Sequence, residues 1–124
     1  AAKELEKRGI QADVLDLRTL VPPDLDGISE SVKRTGRLIV AAEDREFSGF
    51  VRTIQGHMIE RFPGLPSKAC GQKDIPGIAQ CLSLEEATIL SKADIISAAT
   101  ELMEAETLGA VVTQTVAPRF LLNI

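Results

Sequence analysis

A run of apolar residues that stops at a cluster of charges and restarts as a helix, at residues 36–50, constrains the fold more than any other stretch. The strand predicted there, Arg37–Ala42, carries apolar residues on successive positions rather than alternate ones, which is typical of a strand covered by helices on both faces. Four charged residues follow and are expected to mark its exposed carboxyl end: Glu43, Asp44, Arg45 and Glu46. The stretch therefore predicts a strand, a turn and a helix start.

Two small residues at this turn predict how the next helix, 48–62, begins. Ser48 is expected to accept a hydrogen bond from an unpaired backbone N–H of the first helical turn. Gly49 is expected to let the helix start close to the strand, through a positive φ or through close backbone packing. The apolar stripe of this helix consists of Val51, Ile54, Met58 and Phe62.

The residues before this unit predict a helix, a strand and a second helix. Ala1–Arg8 contains strong helix formers and is followed by Gly9, a residue that commonly ends helices. Ala12–Leu17 alternates apolar and acidic residues as a strand does, and a pair of prolines closes it. Asp24 is expected to cap the next helix, which carries apolar residues three and four apart and ends at Gly36.

The second half predicts a short edge strand at Ser67–Gly71, a long ordered loop at 72–90 and a firm helix after it. Ser91 and Asp94 form a variant of the capping-box pattern at the start of that helix. Its buried stripe is expected to consist of Ile95, Ile96, Ala99, Leu102 and Met103.

The alternation of helices and strands predicts an α/β fold, a three-layer α/β/α sandwich with a mostly parallel sheet. We expect one domain at 1–109 and a C-terminal tail at 110–124 as the candidate source of a further strand. Two tail segments have high strand propensity and few charges, Val111–Val116 and Arg119–Ile124.

The composition is that of one globular domain. Of 124 residues, 44% are apolar and 26% are charged, which is too apolar for a disordered chain. The net charge of -4 and the absence of a basic cluster argue against a nucleic-acid surface. No apolar run approaches the roughly 18 residues of a membrane span, and the N-terminus lacks a signal-peptide core. A cytoplasmic protein without membrane or nucleic-acid partners is expected.

The cysteines and the single histidine predict no metal site. Cys70 and Cys81 lack the C-x-x-C spacing, and His57 has no companion ligands in sequence, so free thiols are expected. His57 has no nearby Ser or Cys nucleophile either, which favours a packing or interface role over catalysis.

The remaining polar candidates have structural interpretations that outweigh chemical ones. Glu43 and Asp44 resemble paired acid/base carboxylates, but a strand end favours capping or solvation. Arg18 lies where ligands collect in parallel sheets, although contacts to loop carbonyls or an acidic neighbour are favoured over anion binding. Gly71–Gly77 lacks both the P-loop lysine and a G-x-G-x-x-G pattern. The sequence predicts no catalytic, cofactor-binding or metal-binding residue.

Three segments in order resemble one known family. They are Asp16–Leu20 followed by Pro23, Ser31–Leu38, and Glu43 followed by Phe47–Phe50. Together they resemble the C-terminal transketolase domain, and most closely the beta subunit of the thiamine-diphosphate-dependent decarboxylating component of 2-oxoacid dehydrogenase complexes. The resemblance extends over about residues 1–104.

This resemblance implies a non-catalytic domain for assembly and partner docking, with no activity of its own. Thiamine diphosphate and magnesium would be held by other domains of the parent enzyme. The implied partners are the remainder of the beta subunit, the alpha subunit and, as a further candidate, the subunit-binding domain of the acyltransferase, within an oligomer. Alternative parents are a transketolase, a deoxyxylulose-phosphate synthase or a 2-oxoacid:ferredoxin oxidoreductase. An independent module that binds anions or small ligands is the remaining alternative.

The chain departs from the family pattern at several positions. The family strand that precedes the first helix, in the middle of the sheet, has no counterpart here. Ser48 and Val51 replace glycines of the usual turn, and the loop 71–76 varies the family's sequence. Because a missing central strand would leave two unpaired sheet edges, we expect the tail to insert into its own sheet. Exchange with a second copy of the chain and closure of the sheet without this strand are the alternatives.

Overall fold

The computed structural model describes residues 1–75, 77 and 80–104, together with the backbone of 119–123. Its helices and strands alternate along most of the chain. In chain order they are α1 (Ala2–Lys7), β1 (Gln11–Leu15), α2 (Leu25–Thr35), β2 (Leu38–Arg45), α3 (Phe50–Arg61), β3 (Ser67–Gln72), α4 (Leu82–Glu86), α5 (Lys92–Glu104) and β4 (Arg119–Asn123).

The four strands form one parallel sheet in the order β1-β4-β2-β3. The strand that comes last in the chain, β4, lies between β1 and β2, where Leu121 is paired with both Asp13 and Leu38. The tail segment 119–123 therefore fills the position for which the family resemblance provided no strand. The other candidate segment, Val111–Val116, lies outside the described residues. β3 forms one edge of the sheet, as predicted.

Helices cover both faces of the sheet, which confirms the predicted α/β fold. In β2, Ile39 and Ala41 pack in a cluster with α1 and α5, whereas Leu38 and Val40 pack in a second cluster with α2 and α3. All four of these side chains are at most 2% exposed. The apolar run on successive positions thus has the predicted cause, because each face of the strand meets its own helical layer.

Three predicted helix ends are confirmed. Asp24 Oδ1 accepts the Gly27 N–H at 2.9 Å at the start of α2, and Gly36 ends that helix with φ 71°. At α5 the bonds are reciprocal, since Asp94 donates its N–H to Ser91 Oγ at 3.2 Å and accepts the Ser91 N–H at 2.8 Å. The sequence therefore sets the ends of these helices locally.

Other boundaries differ from the predictions. β2 continues through Arg45 instead of ending at Ala42, because its last residues alternate between exposed and half-buried and so remain compatible with a strand. Its register with β3 shifts between Ala41 and Arg45. The region predicted as a loop at 72–90 contains the short helix α4. In the described part of the chain, no helix is long and apolar enough to cross a membrane.

The position of β4 leads to a test of what holds the sheet together. Leu121→Pro removes a backbone donor in the middle of the sheet, so we expect a loss of roughly 2 to 4 kcal/mol in the free energy of unfolding. Leu121→Val keeps the donor and the strand propensity and serves as the matched control.

Deleting residues 110–124 should cause aggregation or a much lower melting temperature. Thermal denaturation followed by circular dichroism measures all three, and a truncated chain of unchanged stability would contradict the role of β4.

Candidate docking surface

Asp44, rather than Ser48, fixes the turn between β2 and α3. Asp44 Oδ2 accepts the N–H of Phe50 at 2.7 Å, and Oδ1 accepts the N–H of Arg45 at 2.7 Å. The hydrogen bond from Phe50 has the largest effect on the Asp44 carboxyl and that from Arg45 the next. Both lower its pKa below the usual value. The predicted Ser48 cap is wrong, since α3 begins after Gly49 and the carboxylate reaches it from six residues upstream. Asp44 is thus a structural carboxylate, as the capping interpretation predicted.

Gly49 permits the close approach of the turn to the strand. Its φ is −79°, so the positive-φ explanation is wrong, but a Cβ at this position would lie 2.2 Å from the Arg45 carbonyl oxygen. The same carbonyl accepts the Gly49 N–H at 2.8 Å. The backbone itself therefore occupies the space that a side chain would need, which is the second of the two predicted reasons for glycine here.

Arg52 joins the turn to the first half of α3. Its Nε donates to the Glu46 carbonyl oxygen, its Nη2 to Glu46 Oε1 and its Nη1 to Gln55 Oε1, each at 3.0 Å. Gln55, which is 8% exposed, donates in turn to Ser67 Oγ at 3.1 Å. The guanidinium is engaged within the chain, so it holds the turn in place.

The loops that follow the strands meet at one edge of the sheet, because all strands are parallel. After β3, Lys73 donates its N–H to the Thr88 carbonyl oxygen at 3.2 Å and its Nζ to the Ala87 carbonyl oxygen at 3.0 Å. The segment between them, which contains α4, therefore starts and ends at the carboxyl end of β3. Arg45 Nη1 ties it to β2 by donating to the Ile75 carbonyl oxygen at 2.7 Å.

Exposed apolar side chains concentrate on these loops. Among the residues that the structure describes, seven large apolar side chains are exposed, and five of them follow the carboxyl end of a strand. They are Leu20 and Val21 after β1, Phe47 after β2, and Leu82 and Leu84 after β3. We call these five residues the carboxyl-edge patch. The most exposed are Val21 at 85% and Phe47 at 78%. Isolated exposed apolar residues are ordinary, whereas a concentration on one edge indicates an interaction site.

The sequence analysis does not identify this patch. Leu20, Val21 and Phe47 stand among turn residues, and Leu82 and Leu84 stand in a segment that was predicted to be a loop. Apolar residues in predicted loops are the signal that could have revealed it, since a packed core does not require them there. The sequence alone could not show that the three loops share one edge.

The residues singled out in the sequence do not assemble into a catalytic site. His57 is exposed on α3, so it does not pack in the core, and an interface role stays a prediction. Arg18 is exposed beside a depression of about 490 Å³ that Asp16 and Asp24 also line, which disfavours an anion. Cys70 and Cys81 are free thiols, as predicted, and burial raises the pKa of Cys70 to about 11. No group of three or more His, Cys, Asp or Glu residues in the described ranges could hold a metal ion.

Comparison with known proteins identifies relatives of about the first three quarters of the chain. The family model described as transketolase, C-terminal domain matches residues 1–95. The pyruvate dehydrogenase E1 component subunit beta of Rickettsia bellii is 40% identical over 101 residues, which is 79% of this chain and 31% of that protein. The subunit of the same name from Bacillus subtilis is 46% identical over 61 residues, 49% of this chain and 19% of the relative.

A chloroplastic relative extends the comparison to plants. The pyruvate dehydrogenase E1 component subunit beta-3 of Oryza sativa is 29% identical over 107 residues, 84% of this chain and 27% of its own length. The chain thus spans less than a third of the length of these relatives.

The turn geometry gives a matched pair of glycine substitutions. Gly49→Ala would place a Cβ against the Arg45 carbonyl, so we expect a loss of about 1 to 3 kcal/mol in the free energy of unfolding. Gly56→Ala lies inside α3 with nothing within 4 Å of its Cβ, and should stabilise by about 0.5 to 1 kcal/mol through higher helix propensity. Chemical denaturation measures both values, and equal effects at the two sites would contradict the close approach at Gly49.

The Asp44 cap predicts a dependence of stability on pH. The folded state lowers the pKa of Asp44, so the stability that its carboxylate contributes is fully present above the unfolded pKa of about 4. This stability is lost as the pH falls below that value. Asp44→Asn should lower the melting temperature at neutral pH. In acid, the melting temperature of this variant should fall less steeply than that of the unmodified chain. Ser48→Ala should change stability by less than about 0.5 kcal/mol, since Ser48 makes no cap. Melting curves between neutral pH and pH of about 3 test this, and a larger effect at Ser48 than at Asp44 would refute it.

Proposed function

Because the chain belongs to the transketolase C-terminal domain family, we propose that it is the non-catalytic assembly and docking domain of a thiamine-diphosphate-dependent 2-oxoacid dehydrogenase beta subunit. The relatives above are pyruvate dehydrogenase E1 component beta subunits, which favours this parent over a transketolase, a deoxyxylulose-phosphate synthase or an oxidoreductase. The observation that carries the docking role is the carboxyl-edge patch. An independent ligand-binding module would not account for the exposed apolar side chains on this edge.

The occupant that we propose for the patch is the remainder of the beta subunit. The relatives are more than three times longer than the part that this chain matches, so a large body of protein accompanies this domain in them. Full burial of a large apolar side chain contributes roughly 1.5 to 3 kcal/mol relative to exposure, so five such residues can support a stable contact between domains. Domain contacts inside one polypeptide commonly have this apolar and modest character.

Further partners follow from the family resemblance. We propose the alpha subunit, an oligomeric assembly and the subunit-binding domain of an acyltransferase as additional contacts, in surroundings that are cytoplasmic. The patch alone does not assign these contacts to particular residues. We also propose thiamine diphosphate and magnesium for the parent enzyme only.

The residues described in this chain do not fit either cofactor. No cluster of acidic or histidine side chains is arranged to hold magnesium among them, and Gly71 lies in β3 with its Cβ position 2.4 Å from the Asp44 carbonyl, which leaves no phosphate cradle there.

The chain alone should not bind the cofactors. Isothermal titration calorimetry with thiamine diphosphate and magnesium, together and separately, is expected to give no heat above dilution. Affinity in the micromolar range would overturn the assignment of a non-catalytic domain. If the cofactors bind only when the remainder of a beta subunit is present, the assignment stands, because they then bind to the other domains.

Coexpression tests the docking role directly. The probe is the remaining part of the Rickettsia bellii subunit beta, from which the 31% matched by this chain has been removed. We expect the two chains to copurify and comigrate in size-exclusion chromatography. Phe47→Ser and Val21→Ser should each weaken the complex, roughly tenfold or more if these side chains become fully buried.

The control lies on the same molecule away from the patch. Ile59→Ser changes a side chain that is 43% exposed near the end of α3, at the opposite edge of the sheet from the strand-following loops. This variant should bind like the unmodified chain. Weakening by Ile59→Ser alone, or a complex that is indifferent to Phe47 and Val21, would refute the carboxyl-edge patch as the contact.

A further inference from the structure

The outer edge of β3 carries backbone groups that make no hydrogen bond to any residue the structure describes. β3 lies at one edge of the sheet, and β2 is its one partner strand within the described part of the chain. Leu38 donates its N–H to the Pro66 carbonyl oxygen at 3.1 Å, and Glu46 donates its N–H to the Gln72 carbonyl oxygen at 3.0 Å. In a parallel pair, alternate residues face the same neighbour, so the even-numbered residues of β3 face β2 and the odd-numbered residues face outward.

The carboxyl end of this edge shows the same alternation. Lys73, an odd-numbered residue, donates its N–H away from β2, to the Thr88 carbonyl oxygen at 3.2 Å. Three earlier residues face the same way, namely Ser67, Ala69 and Gly71. Among the residues that the structure describes, the outward N–H and C=O groups of these three make no hydrogen bond. Ala69 is nevertheless only 7% exposed. A buried backbone group that makes no hydrogen bond costs free energy, which favours a partner for this edge.

This edge lies at the bottom of a groove. A cavity of about 400 Å³ runs beside β3, with residues of α3 on one side and residues of α5 on the other. Its walls include Arg52 and Gln55 from α3, and Ser97 and Glu101 from α5. The recess explains how Ala69 can be sheltered although no strand in the described ranges pairs with its outer edge.

We propose that the β3 edge groove binds an extended, uncharged segment of a partner protein, which adds a fifth strand to the sheet. Outward N–H and C=O groups on alternate residues match the backbone of an extended chain, whose own groups repeat every two residues. This inference goes beyond the docking role proposed above, since the groove and the carboxyl-edge patch are different surfaces.

The charges of the walls favour a segment without charged residues. Glu46 is paired with Arg52 at 3.0 Å, and Lys68 is paired with Glu101. A charged side chain entering the groove would compete with these pairs and lose its own hydration. Small or β-branched uncharged side chains would neither compete with these ion pairs nor lose the hydration of a charge. The β-branched ones also have high strand propensity.

The recess also disfavours a second copy of this chain as the occupant. A second β3 would be recessed between its own α3 and α5, so edge-to-edge pairing would bring the two sets of walls together before the strands could meet. A single extended segment has no such walls and can reach the edge.

The test uses the full chain and a synthetic panel of capped hexapeptides composed of Ala, Ser, Thr and Val. Amide NMR spectra of the isotope-labelled protein are recorded during titration with each peptide. For at least one peptide, the Ser67, Ala69 and Gly71 amides should shift and become protected from hydrogen exchange. The inward-facing amides of Lys68 and Cys70 should already be protected without peptide.

A matched pair of variants locates the binding. Ser97→Trp fills the groove from an exposed position on α5 and should weaken binding roughly tenfold or more. Thr100→Trp adds the same side chain at an exposed position of the same helix that does not line the groove, and should bind normally. Circular dichroism melting verifies that both variants fold.

Each other outcome would overturn the proposal. Binding by no peptide in the panel would remove its basis, as would peptide binding that is unchanged in Ser97→Trp. Analytical ultracentrifugation provides the remaining outcome. A dimer of the unmodified chain that Ser97→Trp abolishes would make a second copy the occupant in place of a partner segment.

Discussion

The pairing of β4 with β1 on one side and β2 on the other is the interaction on which the rest of the structure depends. Without it, β1 and β2 would each present a row of unpaired backbone groups to the interior of the sheet, and α2 would lose the strand beneath it. The two halves of the sheet would then be joined only through the helices. A short segment at the far end of the chain thus connects two strands that lie within its first 45 residues.

β2 also organises the structure, because its side chains belong to both apolar clusters and its end forms the turn to α3. Its apolar residues divide between the two helical layers, and its polar end supplies Asp44, which holds the start of α3. The register shift near Arg45 and the close approach at Gly49 follow from bringing a helix back over the strand that precedes it. The same few residues therefore determine packing, helix capping and the shape of the carboxyl edge.

The surfaces left open by this architecture differ in chemistry. The carboxyl edge displays apolar side chains from three loops, which suits burial against a large neighbouring body of protein. The β3 edge instead displays backbone groups in a recess between two ion pairs, which suits directional hydrogen bonding to an extended chain. The domain can in this way support two kinds of contact, one by apolar burial and one by strand pairing.

The sequence by itself determined the features that arise from neighbouring residues. Caps such as Asp24 and the Ser91–Asp94 pair, the apolar stripes of α3 and α5, and the buried character of β2 could all be predicted, because their causes lie within one or two turns of chain. Ser48 shows the limit of such local reasoning, since the true cap, Asp44, comes from six residues earlier and depends on how the strand end folds back. Only the tertiary structure decided that 119–123 is the segment between β1 and β2, that the apolar loops share one edge, and that β3 has a sheltered side with which no other described strand pairs. These are contacts between residues far apart in sequence, and composition and periodicity carry no information about which distant segments meet.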